Sequence, residues 1–160
     1  VSETAELKLI LALDQLQDPG NIGVLARTLH ALGGIGLVLT RHRSASLGPV
    51  AIKASAGALR NLPVSRVANL SRFLDQALDC GWHVYGTGLD EASENIYLKE
   101  IYWPVVLVLG NEEKGLRPGV IKRCESILTI PLTAGFDSLN VAQAGAIIMG
   151  EFLSRINKGK

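Results

Sequence analysis

Short apolar runs rich in β-branched residues, separated by helix-like segments, constrain the fold of this chain more than any other feature. The clearest run, Val105–Leu109, reads Val-Val-Leu-Val-Leu and contains no polar residue. Strands without polar alternation are typical of parallel sheets, in which helices cover both faces. The alternation of such strands with helices therefore predicts an α/β fold built on a parallel sheet.

The same patterns place the individual elements along the 160 residues, which are expected to form one domain spanning 1–160. Strands are predicted at 7–13, 35–39, 63–67, 84–88, 105–109 and 127–130. Helices are predicted at 20–32, 50–59, 70–80, 118–124 and 141–156, and residues 90–100 form an acidic connection.

Composition narrows the class of protein. Hydrophobic residues make up 48% of the chain and charged residues only 19%. An efficient core explains this in part, but the balance favours some apolar surface buried against another subunit. No apolar run approaches the roughly 20 residues that a membrane span needs. The polar start at residues 1–6 has no signal-peptide pattern, and a cytoplasmic fragment of a longer protein is expected.

Cysteines and histidines give no metal-ligand spacing. Cys80 and Cys124 lie far apart and are expected to be reduced, semi-buried core residues. His30, His42 and His83 are scattered, so no metal site is expected.

Charge is distributed unevenly between the two halves of the chain. Residues 1–72 carry eight Lys/Arg and four Asp/Glu, whereas residues 73–160 carry eight and eleven. The basic half could face phosphate groups, although on charge alone an ordinary solvated surface is favoured. The cations considered for such a surface are Arg41, Arg43, Lys53, Arg60, Arg66 and Arg72.

Three polar stretches lie where ligand sites of parallel sheets are found, close to the ends of predicted strands. They are residues 18–28, 109–116 and 130–142. Neither a G-x-G-x-x-G run nor a phosphate-binding P-loop is present, which disfavours a dehydrogenase or an NTPase. Ser138 has no G-x-S-x-G elbow, which disfavours a serine hydrolase.

Each stretch offers candidate site residues with a structural alternative. Glu112 is either a site residue or the cap of a turn, and Ser138 and Asn140 are either ligand-wrapping residues or helix caps. Arg27, on a largely apolar helix, needs an anionic partner, which is either an acidic side chain or a phosphate or oxyanion. Asn21 is placed to hydrogen-bond Glu112 or Arg27.

Taken together, the three stretches resemble the three motifs of the SpoU/TrmH family of RNA ribose 2′-O-methyltransferases, within the SPOUT superfamily. Motif one is matched by residues 14–33, with Asp18-Pro19-Gly20-Asn21-Ile22-Gly23 and Arg27-Thr28. Motif two is matched by Leu109-Gly110-Asn111-Glu112-Glu113-Lys114-Gly115-Leu116. Motif three is matched by Ile130-Pro131-Leu132 and Ser138-Leu139-Asn140-Val141-Ala142-Gln143-Ala144. Residues 53–58, 62–64 and 66–70 resemble the branch that methylates a guanosine of bacterial 23S rRNA.

The resemblance implies a parallel SPOUT sheet with a C-terminal trefoil knot, a homodimer, and S-adenosylmethionine as methyl donor. It implies that the cofactor is held by Leu109, Gly110, Asn111, Ile130, Leu132 and Leu139. The catalytic set it implies is Arg27, Asn21, Glu112, Ser138 and Asn140. Family members usually carry an RNA-binding extension, often N-terminal, so the resemblance leads us to expect that these residues are the catalytic part of a longer protein.

The implied reaction is methylation of a ribose 2′-hydroxyl in RNA, ribosomal rather than transfer RNA. A transfer-RNA enzyme, a catalytically silent RNA-binding homologue and an unrelated α/β enzyme are the alternatives. No histidine matches a motif position, so the usual general base is missing. A guanidinium stays protonated, which makes Arg27 a positioning and charge-stabilising group, with phosphate or water taking the proton.

Overall fold

A computed structural model describes residues 8–133, 135 and 137–158 of the chain. Its strands are β1 (Leu9–Leu13), β2 (Gly36–Thr40), β3 (Val64–Val67), β4 (His83–Thr87), β5 (Glu94–Asn95), β6 (Val105–Leu109) and β7 (Ser126–Thr129). Its helices are α1 (Pro19–Ala31), α2 (Pro49–Ala54), α3 (Ala58–Asn61), α4 (Leu70–Asp79), α5 (Pro118–Ile121) and α6 (Val141–Lys158).

All seven strands join one sheet in the order β3-β2-β1-β6-β4-β7-β5, and every pairing is parallel. β1 and β6 pair over their whole length, with Leu9 opposite Val105 and Leu13 opposite Leu109. The predicted parallel α/β fold is therefore confirmed. The trefoil knot and the single domain over 1–160 stay predictions.

The central strands are buried on both faces, which explains their continuous apolar sequence. Alternate residues enter different hydrophobic clusters: Leu107 packs in the layer with α1 and α6, whereas Val106 and Val108 pack with α4. Helices thus cover both faces of the sheet.

Two local predictions were wrong. The helix expected at 50–59 is broken into α2 and α3, because Ala56 (φ 49°) and Gly57 (φ 87°) adopt left-handed backbone. The acidic connection at 90–100 contains β5, whose two polar residues pair with β7. Other elements agree with the prediction except at their ends; for example, α5 stops at Ile121 rather than at residue 124.

Glycines let α1 pack closely against its neighbours. A Cβ at Gly23 would stand 2.4 Å from the Ala51 carbonyl oxygen, and a Cβ at Gly145 would stand 2.5 Å from Leu25 Cδ2. Such distances are too short for a side chain, so α2 and α6 both lie directly against α1. This packing brings the start of α6 beside the start of α1.

Candidate functional site

A cavity of about 670 Å³ opens among the loops that follow the strands, at the carboxyl edge of the sheet. This volume is in the range of small-molecule sites. Eight of the eleven predicted site residues line the cavity: Gly110, Asn111, Glu112, Ile130, Leu132, Ser138, Leu139 and Asn140. The structure thus brings together the second and third polar stretches of the sequence.

A tight turn after β6 forms one wall of this cavity. Asn111 and Gly115 exchange backbone hydrogen bonds of 3.1 and 3.0 Å, and Asn111 Oδ1 accepts from the N–H groups of Glu113 and Lys114. A Cβ at Gly110 would lie 2.5 Å from the Gly115 carbonyl carbon. Only glycine permits this approach, which places the Gly110 backbone at the cavity wall.

The first polar stretch reaches the cavity through hydrogen bonds rather than by lining it. Asn111 Nδ2 donates to the Gln15 carbonyl oxygen at 2.7 Å. The Glu112 carboxylate accepts from the N–H groups of Gln17 at 3.3 Å and Asp18 at 3.1 Å. β1 and β6 are neighbours, so the loops at their ends meet. Glu112 therefore joins two loops instead of capping its own turn.

The starts of α1 and α6 are each capped by a side chain, and one hydrogen bond joins them. Asp18 Oδ1 accepts from Gly20 N at 2.8 Å and so caps α1. Asn140 Oδ1 accepts from Ala142 N at 2.8 Å at the start of α6, while Asn140 Nδ2 donates to Asn21 Oδ1 at 3.2 Å. Asn21 was expected to contact Glu112 or Arg27, but the partner that the structure gives it is Asn140.

Arg27 and Leu109 occupy different positions from the cavity-lining set. Arg27 is exposed on α1, six residues after Asn21 and about 9 Å further along the helix axis. Within the described ranges it makes no ion pair, so the alternative of an acidic side-chain partner finds no support. Leu109 is fully buried in the core behind Gly110.

The sequence reasoning missed an ion pair beside these loops, in which the carboxylate is buried and the Arg117 side chain is 44% exposed. The Asp14 carboxylate is fully buried and accepts from Arg117 Nε at 2.7 Å, Arg117 Nη2 at 2.6 Å and the Arg117 backbone N–H at 2.9 Å. Asp14 directly follows an apolar strand, which was the available signal. Its partner lies 103 residues away, and nothing in the spacing indicated it.

The titratable groups near the site do not form a nucleophile or a metal centre. Burial, and secondarily the charge of Asp14, raise the pKa of the Cys124 thiol to about 12, so it stays protonated. Cys124 is half-buried as expected, but Cys80 is exposed, which corrects its predicted burial. Across the described residues there is no group of three His, Cys, Asp or Glu side chains arranged to hold a metal ion. Among the described residues, every helix is too short or too polar to cross a membrane.

The cavity lining fits S-adenosylmethionine. Ile130, Leu132 and Leu139 offer apolar contacts to a flat ring, whereas the Gly110 backbone and the Ser138 hydroxyl lie at the cavity for polar edges. A mixed lining of this kind is typical of sites for small molecules with one apolar and one polar part.

Comparison with known proteins gives a consistent family. Residues 8–150 match the model of the SpoU rRNA Methylase family. An uncharacterized tRNA/rRNA methyltransferase from Mycolicibacterium gilvum is 39% identical over 145 residues, covering 89% of this chain and 45% of that protein. This chain therefore spans about half the length of the curated relative.

Solved structures agree. The SpoU methyltransferase AviRb from Streptomyces viridochromogenes, in complex with AdoMet, matches with a TM-score of 0.85 and 29% identity, over 98% of this chain and 61% of that one. A protein studied for 2-OH methylation of C/U34 on tRNA matches with a TM-score of 0.82 and 29% identity, over 95% of this chain and 97% of that one.

Proposed function

Because this chain belongs to the SpoU rRNA methylase family, we propose that it transfers a methyl group from S-adenosylmethionine to a ribose 2′-hydroxyl of RNA. A guanosine of 23S rRNA is the proposed target, and the cytoplasm is the proposed location. The observation that carries the proposal is the cavity of about 670 Å³, which is lined by eight of the predicted site residues, all of them in the second and third motifs.

The proposed cofactor site consists of the cavity residues Gly110, Asn111, Ile130, Leu132 and Leu139, with Leu109 as its buried support. Bound S-adenosylmethionine supplies an electrophilic methyl group. The chain's contribution is to fix the loops around it: Glu112 joins the turn after β6 to the start of α1, and Asn140 joins the start of α6 to Asn21. Fixed loops favour transfer because methyl transfer depends on alignment of the reacting atoms.

Arg27 is proposed to position the ribose and stabilise charge that develops on its 2′-oxygen. A guanidinium stays protonated, so the proton of the hydroxyl passes to an RNA phosphate or to water. Ser138, which is exposed at the cavity, and Asn140 are proposed to orient the ribose or Arg27. Removing one such charge-stabilising donor lowers kcat by about 10²–10³-fold, which is the loss expected for Arg27→Ala. Arg27→Lys keeps the charge but loses the paired, planar donors of a guanidinium, so near wild-type turnover of that variant would contradict a role that needs both donors at once.

A homodimer is part of the proposal, with Arg27 acting in the site of the partner subunit. In support, Arg27 does not line the cavity of its own chain, and Val24 and Ile147 expose apolar surface on the adjacent helices α1 and α6 (43% and 38% exposed). Activity should then fall on dilution in step with the dimer fraction measured by sedimentation. A fully active monomer would contradict action across the dimer while leaving the methyl transfer intact.

The direct test incubates the chain with 23S rRNA, transfer RNA and S-adenosylmethionine carrying a tritiated methyl group. A methylated 2′-oxygen cannot attack the adjacent phosphodiester, so the label should appear in an alkali-resistant dinucleotide containing guanosine. Label in alkali-sensitive mononucleotides would indicate base methylation and contradict the ribose assignment. Label only in transfer RNA would favour the transfer-RNA alternative. Cofactor binding by calorimetry without any transfer would indicate a silent homologue.

A further inference from the structure

Among the described residues, the cations of the first half of the chain have no carboxylate partner. In residues 8–72, eight Lys and Arg stand against two Asp. One of these, Asp14, pairs with Arg117, and the other, Asp18, caps α1. All five ion pairs among the described residues take their cation from His83 or from residues further along the chain. The positive charge of this half is therefore available to an outside anion.

Two of these cations lie on a loop that is held in a defined shape at the carboxyl edge of the sheet. Arg41 and Arg43 follow β2 directly and are exposed. Arg66 holds both ends of this loop, donating from Nη1 to the Thr40 carbonyl oxygen at 3.4 Å and from Nη2 to the Ala45 carbonyl oxygen at 3.0 Å. Thr40 Oγ1 also lies 2.6 Å from Ser44 Oγ. Arg66 is thus occupied inside the protein, while Arg41 and Arg43 stay at the surface.

The loop is joined to the cavity by one short segment of the chain. The Leu16 carbonyl oxygen accepts from Ala45 N at 2.9 Å. The residues on either side, Gln15 and Gln17, are bound by Asn111 and Glu112. Residues 15–17 therefore contact both the turn after β6 (residues 110–116) and the loop after β2 (residues 41–45, the basic loop). This fixes the turn and the basic loop relative to each other.

We infer that Arg41 and Arg43 form a clamp for the phosphodiester backbone of RNA next to the methylation site. The inference rests on the proposed function, because it places the strand that carries the reacting ribose. Guanidinium groups suit phosphate recognition, since their planar donors match phosphate oxygens in pairs. Such contacts fix register and orientation and carry no base preference.

The test measures binding of a fluorescein-labelled RNA hairpin by the whole chain, as a function of salt, for wild type and two charge-matched double variants. Arg41→Ala/Arg43→Ala removes the clamp. Lys8→Ala/Arg60→Ala removes the same charge from exposed positions just before β1 and β3, at the opposite edge of the sheet. Both variants keep the residues of the cavity.

The clamp variant should weaken binding on the order of tenfold and reduce the salt slope by about two, one unit for each phosphate contact. The control variant should bind within about a factor of two of wild type. In a methylation assay the clamp variant should raise KM for RNA and leave kcat and cofactor affinity unchanged.

Equal weakening in both variants would reveal a general charge effect and overturn the clamp. An unchanged slope in the clamp variant would do the same, as would a wild-type chain that binds cofactor but no RNA at low salt. Arg41→Glu/Arg43→Glu provides a second variant, which should reduce affinity further than the alanine pair. A wild-type chain that binds RNA through the clamp and transfers no methyl group would overturn the proposed function and leave the clamp standing.

Discussion

The two halves of this chain use their positive charges in different ways. In the second half, Lys99, Arg117, Arg123 and Arg155 each pair with a carboxylate. In the first half, no cation of the described residues does so, although Arg66 is held by backbone carbonyls. Internal pairing stabilises a fold, whereas unpaired surface cations bind anions. Net charge alone, which is +1, conceals this difference.

Arg117→Ala should have the largest effect, because Arg117 forms the one ion pair among the described residues that joins the halves. The variant leaves the Asp14 carboxylate, which is fully buried in the wild type, with the Arg117 backbone N–H as its hydrogen-bond donor. Removing the partner of a buried charge costs about 3 kcal/mol or more of unfolding free energy. Because the Arg117 side chain is 44% exposed, its removal admits water to Asp14, and a smaller loss of about 2 kcal/mol is expected in urea denaturation. Arg123→Ala is the matched control, since its partner Asp75 is half exposed and the loss should be about 1 kcal/mol or less. Equal losses would contradict the distinction between the two pairs.

Arg66→Ala tests a cation of the first half that is bound within the protein, by the backbone carbonyls of Thr40 and Ala45. The variant loses two donated hydrogen bonds across the basic loop, worth about 1.5 kcal/mol in unfolding free energy. Hydrogen exchange at the Ala45 amide, which bonds Leu16, should accelerate more than exchange in β6. Arg60→Ala, an exposed arginine on α3, should stay within about 0.5 kcal/mol of wild type. Unchanged exchange at Ala45 would mean that Arg66 does not hold the loop.

Variants of Asn140 distinguish two roles of this residue: capping α6, which stabilises the fold, and bonding Asn21, which links the two halves. Asn140→Ala loses the cap of α6 and should cost about 1 kcal/mol of unfolding free energy. Asn140→Ser keeps a side-chain oxygen that can cap α6, but it has no amide and is too short to reach Asn21, so its stability should stay near wild type. Methyl transfer should fall in both variants if the link to Asn21 positions the site. Full activity of Asn140→Ser would assign Asn140 to capping alone.

Glu125 offers the smallest effect, a pH dependence confined to the second half. Burial acts to raise the pKa of Glu125, but hydrogen bonds from Tyr85 and His83 outweigh it, so the pKa is lowered. A lowered folded-state pKa stabilises the protein above the ordinary carboxylate value and loses that stabilisation as the pH falls. The difference in unfolding free energy between wild type and Glu125→Gln should therefore shrink as the pH falls, by less than about 1 kcal/mol. An advantage that grows on acidification would show the opposite shift.

Local signals predicted the fold well where the chain's own neighbours decide its conformation. The helix predicted at 20–32 is α1, Pro19–Ala31, which differs from the prediction by one residue at each end. The break between α2 and α3 was missed because it depends on Ala56 in left-handed backbone, which alanine does not signal. β5 was missed because two polar residues carry no strand periodicity.

The candidate site likewise contains residues that local sequence indicated and contacts that it did not. Motif resemblance indicated the cavity-lining residues of the turn after β6 and the start of α6. It did not indicate which side chains touch: Asn21 with Asn140 and Asp14 with Arg117 are pairs separated by 119 and 103 residues. Such pairings depend on strand order, which places β1 beside β6 and cannot be read from local spacing.

The hydrogen bonds that hold the 15–18 segment have a consequence for how the protein folds. Those to Asn111 and Glu112 span 94 to 96 residues of sequence. Contacts so distant in sequence require closure of a long chain segment before they repay its entropy, which slows folding. During synthesis, the cavity cannot assemble until residue 140 has left the ribosome, long after α1 is available. Cofactor binding would therefore report the completion of folding, whereas helix content would report only its early stages.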